Sequence, residues 1–357
     1  MTQLGPGTTI ATLFLCAVQL LGPPEAQAGD QANAMRKLEP LVLRGIQLTV
    51  AHRYQEARAC FDSLSTALPT HPAGPFLLAA MLHSQMLDYE SDRGETEFYR
   101  LIQEGVARAT RQLRADPNNS WALFYRGAAY GYRAFHAARQ GRYLRAYRDG
   151  QLAMRDLQKA VATDSSLADA YLAIGSYKYW RAKVLRYLNW LPFVPEEREE
   201  AIRLIRLAIA KGRYSYLTGL SDLSWILIDA GRCEEAVACA QEGLTACPDS
   251  RFFLWPLAEA HFRRGDYFAA AEWYERLLAS LLQVPDSNHY NEIICRLRLA
   301  RAYCARGERK KVRYHTSAIL GLSLDKQTRQ RVEGKLAEVK AIVQRCRPLA
   351  DPVETSR

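Results

Sequence analysis

Apolar side chains recur with a helical period from residue 38 onward, whereas the alternation typical of strands is rare. Small residues stand out within this pattern. One series begins at Ala57 and recurs every 48 residues as far as Ala201. It continues at Ala236 and Ala270, after steps of 35 and 34 residues. The pattern therefore predicts a repeated helical unit whose length changes within the chain.

A second series of small residues falls in the helix that precedes each member of the first series. Its members are Gly45, Ala79, Gly127, Gly175, Ser224, Ala258 and Ala300. Small side chains are needed where two helices cross closely, because a larger side chain would push the helices apart. Prolines that end helices fall in the same phase, at Pro69, Pro117 and Pro248. We therefore predict an all-α protein built of helix hairpins.

Several of these units resemble the tetratricopeptide repeat. The turn Asp116-Pro117-Asn118-Asn119-Ser120, followed by Leu123, Gly127 and Tyr130, is similar to the family's inter-repeat turn and first helix. Other matching positions are Gly45, Tyr54, Ala57, Phe61 and Pro69, the run Gly231-Arg232-Cys233-Glu234-Glu235-Ala236, and Gly265-Asp266-Tyr267 with Ala270 and Tyr274. The resemblance covers residues 38–322 and implies one α-solenoid, a TPR-like superhelix of about seven helix hairpins. We expect a capping helix at 325–346 and a disordered tail at 347–357.

The steps of 48 residues exceed the family's repeat of 34 by 14 residues, or about two turns for each helix if they are shared equally. We therefore expect long repeats over 72–212 and ordinary repeats over 38–71 and 216–322. The helices of the long part are predicted at 73–92, 95–115, 120–140, 142–163, 168–186 and 195–212. The long helices would make a taller wall than an ordinary array.

The N-terminus has the pattern of an export signal. The apolar run 8–22 is followed by Ala26-Gln27-Ala28, which fits a cleavage site and would leave Gly29 as the first mature residue. The basic residues that usually precede such a run are missing. We predict a signal peptide at 1–28 and an exported, periplasmic protein. Translation from Met35 would instead give a cytoplasmic protein.

The sequence offers little catalytic chemistry. Its 7 histidines are scattered without HExxH spacing, and no P-loop, GxGxxG or GxSxG motif occurs. Glu196-Glu197 and Glu199-Glu200 follow Pro195, where acidic side chains favour the start of a helix. We therefore expect a non-enzymatic protein with no catalytic residue, no metal and no cofactor. If the protein is exported, Cys233 and Cys247 could form a disulfide across one helix hairpin.

Aromatic residues concentrate in the middle of the chain, where all 6 tryptophans lie between residues 121 and 273. Tetratricopeptide proteins generally bind partners on the concave surface that the first helices line. The resemblance therefore implies a groove lined by Trp121, Phe124, Tyr132, Tyr179, Trp180, Trp225, Asp229, Phe252, Trp255, Glu259 and Arg263. We expect Trp180, Trp225 and Trp255 to be its anchors. The alternative is that these rings pack in the core.

The connection 185–195 is unusual, since it holds two prolines and several large apolar residues. Exposed, it would contact a partner or a membrane interface; folded back, it would fill a gap between the long helices. The net charge of +10 concentrates in residues 120–190 and 285–357. No nucleic-acid-binding module accompanies these basic blocks, so we expect no nucleic acid partner. Solvated helix faces are expected first, and an acidic partner or an anionic membrane surface second.

Taken together, these features predict a protein-binding scaffold or adaptor that acts outside the cytoplasm. We expect it to capture a peptide or a partner protein in its concave groove. Lengthened repeats behind a signal peptide are also similar to the periplasmic T components associated with TRAP-type transporters. That second resemblance implies an alternative function, in which a cavity walled by the long helices binds a small apolar ligand.

Overall fold

The computed structural model describes the backbone of residues 24–186 and 197–345. These two ranges contain fifteen α-helices and no strand. The helices are α1 Pro24–Val50, α2 Tyr54–Ala67, α3 Ala73–Tyr89, α4 Glu95–Ala115, α5 Ser120–Arg139, α6 Tyr143–Thr163, α7 Ala170–Arg186, α8 Arg198–Lys211, α9 Tyr216–Asp229, α10 Cys233–Ala246, α11 Arg251–Arg263, α12 Tyr267–Leu281, α13 Tyr290–Ala305, α14 Arg309–Leu320 and α15 Lys326–Arg345. The predicted all-α solenoid is confirmed.

Consecutive helices pair into seven hairpins, from α1–α2 to α13–α14. The first helices of successive hairpins also contact one another from α1 to α11, so that they form the inner wall of the solenoid. Helix α15 packs on α13 and α14 and buries Val332 and Val339 completely. It covers the apolar surface that the last hairpin would otherwise leave open, as the amphipathic pattern at 325–346 predicts.

The two series of small residues meet where the helices of a hairpin cross. A β-carbon added to Gly175 of α7 would lie 2.7 Å from the carbonyl oxygen of Ala201 in α8. A β-carbon on Gly127 of α5 would lie 3.1 Å from the carbonyl oxygen of Ala153 in α6. The residues of the repeat pattern are therefore contact points between backbones, as the sequence predicts.

The helices of the long repeats do not share the extra residues equally. Helices α4, α5 and α6 have 21, 20 and 21 residues, whereas α8 has 14, the same as α9 and α10 in the ordinary repeats. The helix predicted over 195–212 is present but shorter, Arg198–Lys211, so it is not one of the long helices. Residues 187–196, which include most of the connection 185–195, lie outside the described residues. The two predicted arrangements of that connection, exposed or folded back, concern these residues and stay predictions.

Helix α1 begins at Pro24, well before the predicted position 38, and continues without a break to Val50. Most of the predicted signal peptide, residues 1–23, lies outside the described residues, as does the whole of the tail at 347–357. Among the described helices, none combines the length and the apolar character that a bilayer span requires.

Cys233 and Cys247 lie at opposite ends of helix α10 and are both free. A helix of 14 residues is about 21 Å long, whereas the α-carbons of a disulfide lie about 4–7 Å apart. The two residues do not face each other across a hairpin, and the predicted bridge between them was wrong.

Peptide mapping of the oxidised protein under non-reducing conditions, with a protease that cleaves after Glu235 and Glu242, should find Cys233 and Cys247 in separate, unlinked peptides. We expect dithiothreitol to leave the midpoint of thermal unfolding unchanged within error for the same reason. A peptide linking these two cysteines would require α10 to be broken, and it would contradict the fold described here.

The solenoid closes on itself, which the sequence analysis did not predict. Helix α1 contacts α9, and Val50 at the end of α1 shares an apolar cluster with Leu220 and Phe253. The Ser250 hydroxyl donates to the Val50 carbonyl oxygen at 2.7 Å, across 200 residues of chain. We call this junction of the N-terminal hairpins with α9, α11, α13 and α15 the seam.

Candidate functional site

The predicted groove residues lie on the inner helices α5, α7, α9 and α11, but they are not equally accessible. Trp225 is exposed, at 39%, and Arg263 is exposed as well. Six others are partly buried: Trp121, Tyr132, Trp180, Asp229, Phe252 and Trp255. Phe124, Tyr179 and Glu259 are buried, so they do not offer a partner the contact surface that the sequence analysis expected.

The buried Tyr179 ties α7 to α9. Its hydroxyl lies 3.0 Å from a carboxylate oxygen of Asp229 and 3.3 Å from the carbonyl oxygen of Ile226. Lys183, one turn further along α7, donates to the other oxygen of Asp229. The Lys183 ammonium also lies 5.1 Å from the ring centroid of Trp180. Tyr179 is therefore a positioning residue that holds the ends of the two inner helices together beneath Trp180.

Glu259 plays a similar role on α11. Its carboxylate accepts hydrogen bonds from the Tyr274 hydroxyl at 2.7 Å, from Arg263 at 3.0 Å and from Arg298 at 3.1 Å. Burial, and then the neighbouring Glu259 charge, raise the pKa of Tyr274 well above its usual value. Because the two arginines neutralise Glu259, this carboxylate anchors side chains of α11, α12 and α13 rather than a ligand. Trp255 packs edge-to-face on Tyr274 with ring centroids 6.2 Å apart.

The predicted groove residues of α5 are covered by the chain itself. Phe124 is 8% exposed and packs against Phe76 of α3. Trp121 lies edge-on to Tyr214, at 6.0 Å between centroids, with the Arg213 guanidinium 5.8 Å from its ring. This part of the concave surface is therefore closed to a partner in the described structure.

Phe252 of α11 is covered in the same way. Its ring stacks on the His52 imidazole, with centroids 5.0 Å apart and an interplanar angle of 22°. The groove that remains lies on α7, α9 and α11. We call Trp180, Lys183, Trp225, Asp229 and Trp255 the aromatic face.

Charged residues inside the solenoid were missed by the sequence analysis. Asp222 of α9 accepts a hydrogen bond from the Ser176 hydroxyl of α7, and burial raises the pKa of Asp222 to about 6. His52, Asp88 and Arg251 form a buried network at the seam. Each looks like an ordinary polar position in the sequence, because the partners are up to 199 residues apart.

A cleft of about 380 Å³ lies between α1 and the start of α9. Its lining includes Leu43, Ile46, Tyr214 and Leu217, so its walls are largely apolar. The long helices do not form it, in contrast to the cavity that the transporter resemblance implies. No group of three or more His, Cys, Asp or Glu side chains in the described ranges is arranged to hold a metal ion.

The basic cluster at the junction of α5 and α6 is partly neutralised. Arg133 pairs with the buried Asp149 and Arg139 pairs with Glu90, at 2.5 and 2.9 Å. Beside them, Tyr143 and Tyr147 at the start of α6 are 73% and 60% exposed.

Comparison with known proteins supports the fold from two directions. Residues 252–315 match the family model of the tetratricopeptide repeat. No curated protein sequence matches the chain. Among solved structures, the Cut9–Hcn1 hetero-tetramer of APC/C matches with a TM-score of 0.51 and 15% identity, over 84% of this chain and 54% of that one.

Two smaller solved structures match over nearly their whole length. PilW, a widely conserved type IV pilus biogenesis factor, matches with a TM-score of 0.47 and 15% identity, over 74% of this chain and 98% of that one. Pseudomonas aeruginosa pilF matches with a TM-score of 0.46 and 15% identity, over 76% and 98%. The matched repeat model and the helix-hairpin solenoid confirm the resemblance to the tetratricopeptide repeat family. The resemblance to the transporter-associated T components stays a prediction.

Proposed function

We propose that this protein is a non-enzymatic adaptor of the tetratricopeptide type, which captures a peptide or a segment of a partner protein on the aromatic face. The observation that carries the proposal is Trp225, an indole that is 39% exposed on an inner helix of the solenoid. Tryptophan, with tyrosine and arginine, is enriched among the few residues that supply most of the binding free energy of protein interfaces.

The surroundings of Trp225 suit an extended peptide. Asp229 lies one turn further along α9, and its carboxylate forms a salt bridge with the Lys183 ammonium. Trp180 and Trp255 stand on the two neighbouring inner helices, α7 and α11. The three indoles, one on each of three neighbouring inner helices, offer apolar contacts. The Lys183–Asp229 pair offers a donor and an acceptor for the polar groups of a peptide backbone.

Exchange of Trp225 for alanine should remove most of the partner recovered in a crosslinking pull-down from the native cell. Truncation of an interface tryptophan costs about 2–4 kcal/mol of binding free energy, which corresponds to at least a 30-fold loss of affinity. Helical circular dichroism should not change, because the exposed ring contributes little to the core.

Trp273 on the outer helix α12 provides the matched control. It is partly buried and packs near Arg276, whose guanidinium lies 5.6 Å from its ring. We expect Trp273→Ala to retain the partner. Equal recovery by both variants would show that the aromatic face is not the binding surface.

A second candidate function is the binding of a small apolar ligand, for which the cleft between α1 and α9 is the observation in favour. Native mass spectrometry of the protein purified from its own cell distinguishes the two functions. A retained small molecule that is lost in Leu217→Arg would favour the ligand, whereas recovery of an unliganded chain bound to a protein would favour the adaptor.

For the location, we propose export with cleavage before Gly29, as the sequence pattern suggests. Such cleavage would fall within α1 and leave its segment 29–50 to pack against the rest of the solenoid. N-terminal sequencing after cell fractionation tests this directly. A periplasmic protein that begins at Gly29 would support the proposal, and a cytoplasmic one that begins at Met35 would overturn it.

A further inference from the structure

The seam is held at its centre by a buried ion pair. Arg251 at the start of α11 donates from Nε and Nη2 to the two carboxylate oxygens of Asp88 in α3, at 2.7 and 2.5 Å. The exposed fractions of the two side chains are 8% and 3%. This bidentate pair joins positions 163 residues apart, and it is the strongest type of polar contact that the two ends of the solenoid could make.

Two further side chains complete this network. The Tyr54 hydroxyl donates to Asp88 at 2.8 Å, and Nδ1 of His52 lies 3.0 Å from the same carboxylate. Nε2 of His52 accepts the backbone N–H of Arg251 at 2.8 Å, which places the imidazole proton on Nδ1. Burial opposes the charge on Asp88, but the hydrogen bonds from Arg251 and His52 outweigh it and hold the pKa of Asp88 below its usual range.

Weaker polar contacts surround this centre. Asn288, just before α13, and Asn291, in its first turn, donate to the carbonyl oxygens of Glu90 and Asp88, both at 2.8 Å. Arg331 of α15 donates to the Glu90 carbonyl oxygen at 2.9 Å. The rim of the seam is therefore made of part-buried and exposed hydrogen bonds, and water can replace the exposed ones at little cost.

Closing the seam covers concave surface. Phe252 stacks on His52, and Val50 joins the apolar cluster of Phe253, so positions that line the groove of an open tetratricopeptide solenoid face the chain's own helices. The seam combines this polar centre with a small apolar cluster around Val50 and Phe253. It can separate more readily than a continuous apolar interface, because both charged groups regain water on opening.

We propose that the seam is an autoinhibitory clasp: closed, it covers the concave surface at the start of α11, around Phe252, and its opening extends the aromatic face into a longer groove for the partner peptide. This inference rests on the proposed adaptor function. Only open molecules bind the longer peptide, so the apparent dissociation constant is the intrinsic one divided by the open fraction. The clasp thereby sets the affinity of the adaptor without touching its Trp225 contacts.

The test compares two carboxylate-to-amide variants. Asp88→Asn weakens the clasp. Asp156→Asn is the matched control, because Asp156 is equally buried, at 3%, and is held in a bidentate pair by Arg126, yet both partners lie in one hairpin. We expect Asp88→Asn to increase the radius of gyration in small-angle X-ray scattering and to increase the fluorescence of added 1-anilinonaphthalene-8-sulfonate several-fold. Asp156→Asn should do neither. Equal values for the two variants would overturn the proposal.

Amide exchange in the unaltered protein provides a second measurement, which stands even if Asp88→Asn loses its helical circular dichroism. The Arg251 amide has the His52 imidazole as its acceptor, whereas the Leu254 amide in the same helix donates to the Ser250 carbonyl oxygen. Opening of the clasp exposes only the first. We expect the Arg251 amide to exchange at least 10-fold faster than that of Leu254. Equal, slow exchange would show that the seam opens only on global unfolding and would overturn the clasp.

These readouts do not involve the partner, so the two proposals fail separately. An open Asp88→Asn variant together with a Trp225→Ala variant that still binds would overturn the adaptor surface and keep the clasp. A closed Asp88→Asn variant together with lost binding in Trp225→Ala would do the reverse.

Discussion

Replacement of Gly175 by alanine should destabilise the protein by about 2–3 kcal/mol, the range for an added methyl group that a packed core cannot absorb. The new β-carbon would lie 2.7 Å from both the Ala201 carbonyl oxygen and Cγ1 of Ile205, well inside van der Waals contact. Because one of these atoms belongs to the backbone of α8, the two helices must separate. We expect the midpoint of urea unfolding, followed by circular dichroism, to fall accordingly.

Gly131 provides the control for this prediction. It also lies inside a helix of the long repeats, but a β-carbon there would be 4.0 Å from its nearest neighbour, the side chain of Ala153. Alanine at this position should be neutral or stabilising by up to about 1 kcal/mol, since it forms helix more readily than glycine. Similar unfolding midpoints for Gly131→Ala and Gly175→Ala would show that the small residues of the repeat do not mark close helix crossings.

Acidification from pH 7 to pH 5 should cost the folded protein about 2–3 kcal/mol of net stability. Burial lowers the pKa of His71 to about 4 and that of His83 to about 3, so both stay neutral in the folded chain and charge in the unfolded chain, where the usual value is 6.5. Below pH 6.5 the unfolded state therefore binds more protons than the folded state. Each histidine then lowers the free energy of unfolding by about 1.4 kcal/mol per pH unit.

Asp222 acts in the opposite direction. Its pKa is raised to about 6, so the folded state takes up this proton first and gains stability as the pH falls below 6. At pH 5 this gain in stability offsets about as much as one of the two histidines removes. Burial also lowers the pKa of His52 and His136, which adds to the loss.

Urea unfolding at a series of pH values measures this loss, and His83→Phe isolates one contribution to it. His83 packs against Phe98 and His136, so a phenyl ring should fill its place. The variant should lose less stability between pH 7 and pH 5, by roughly 2 kcal/mol. A flat stability between these pH values in the unaltered protein would contradict the assignment of neutral, buried histidines.

Local features of the fold could be predicted because they depend on neighbours in the chain. Helix α4 occupies the predicted residues 95–115, and the turn residues Asn119 and Asp266 cap α5 and α12 by accepting the amides of Ala122 and Ala269. The start of α8 was predicted only approximately, at 195 instead of Arg198, since a step of 48 residues does not say how its extra residues divide between helix and connection.

Closure of the solenoid could not be predicted for a related reason. It depends on contacts such as Asp88–Arg251, and neither residue differs in local pattern from a solvated charge on a helix. Closure in turn decides which groove residues are accessible. The repeat phase placed both Trp225 and Phe252 on inner helices, but only the fold shows that Trp225 is exposed while Phe252 stacks on His52.

The distance between residues 93 and 286 tests the closure of the solenoid most directly. The Arg93 and Asp286 side chains are 80% and 85% exposed, and their charged groups lie 3.9 Å apart across the seam. Spectroscopic labels introduced there as unnatural amino acids should report a short distance in the unaltered protein. In an open array, the four to five intervening hairpins would hold the labels roughly 50 Å apart or more, at about 10 Å for each layer. Such a long distance in most molecules would contradict the closed solenoid.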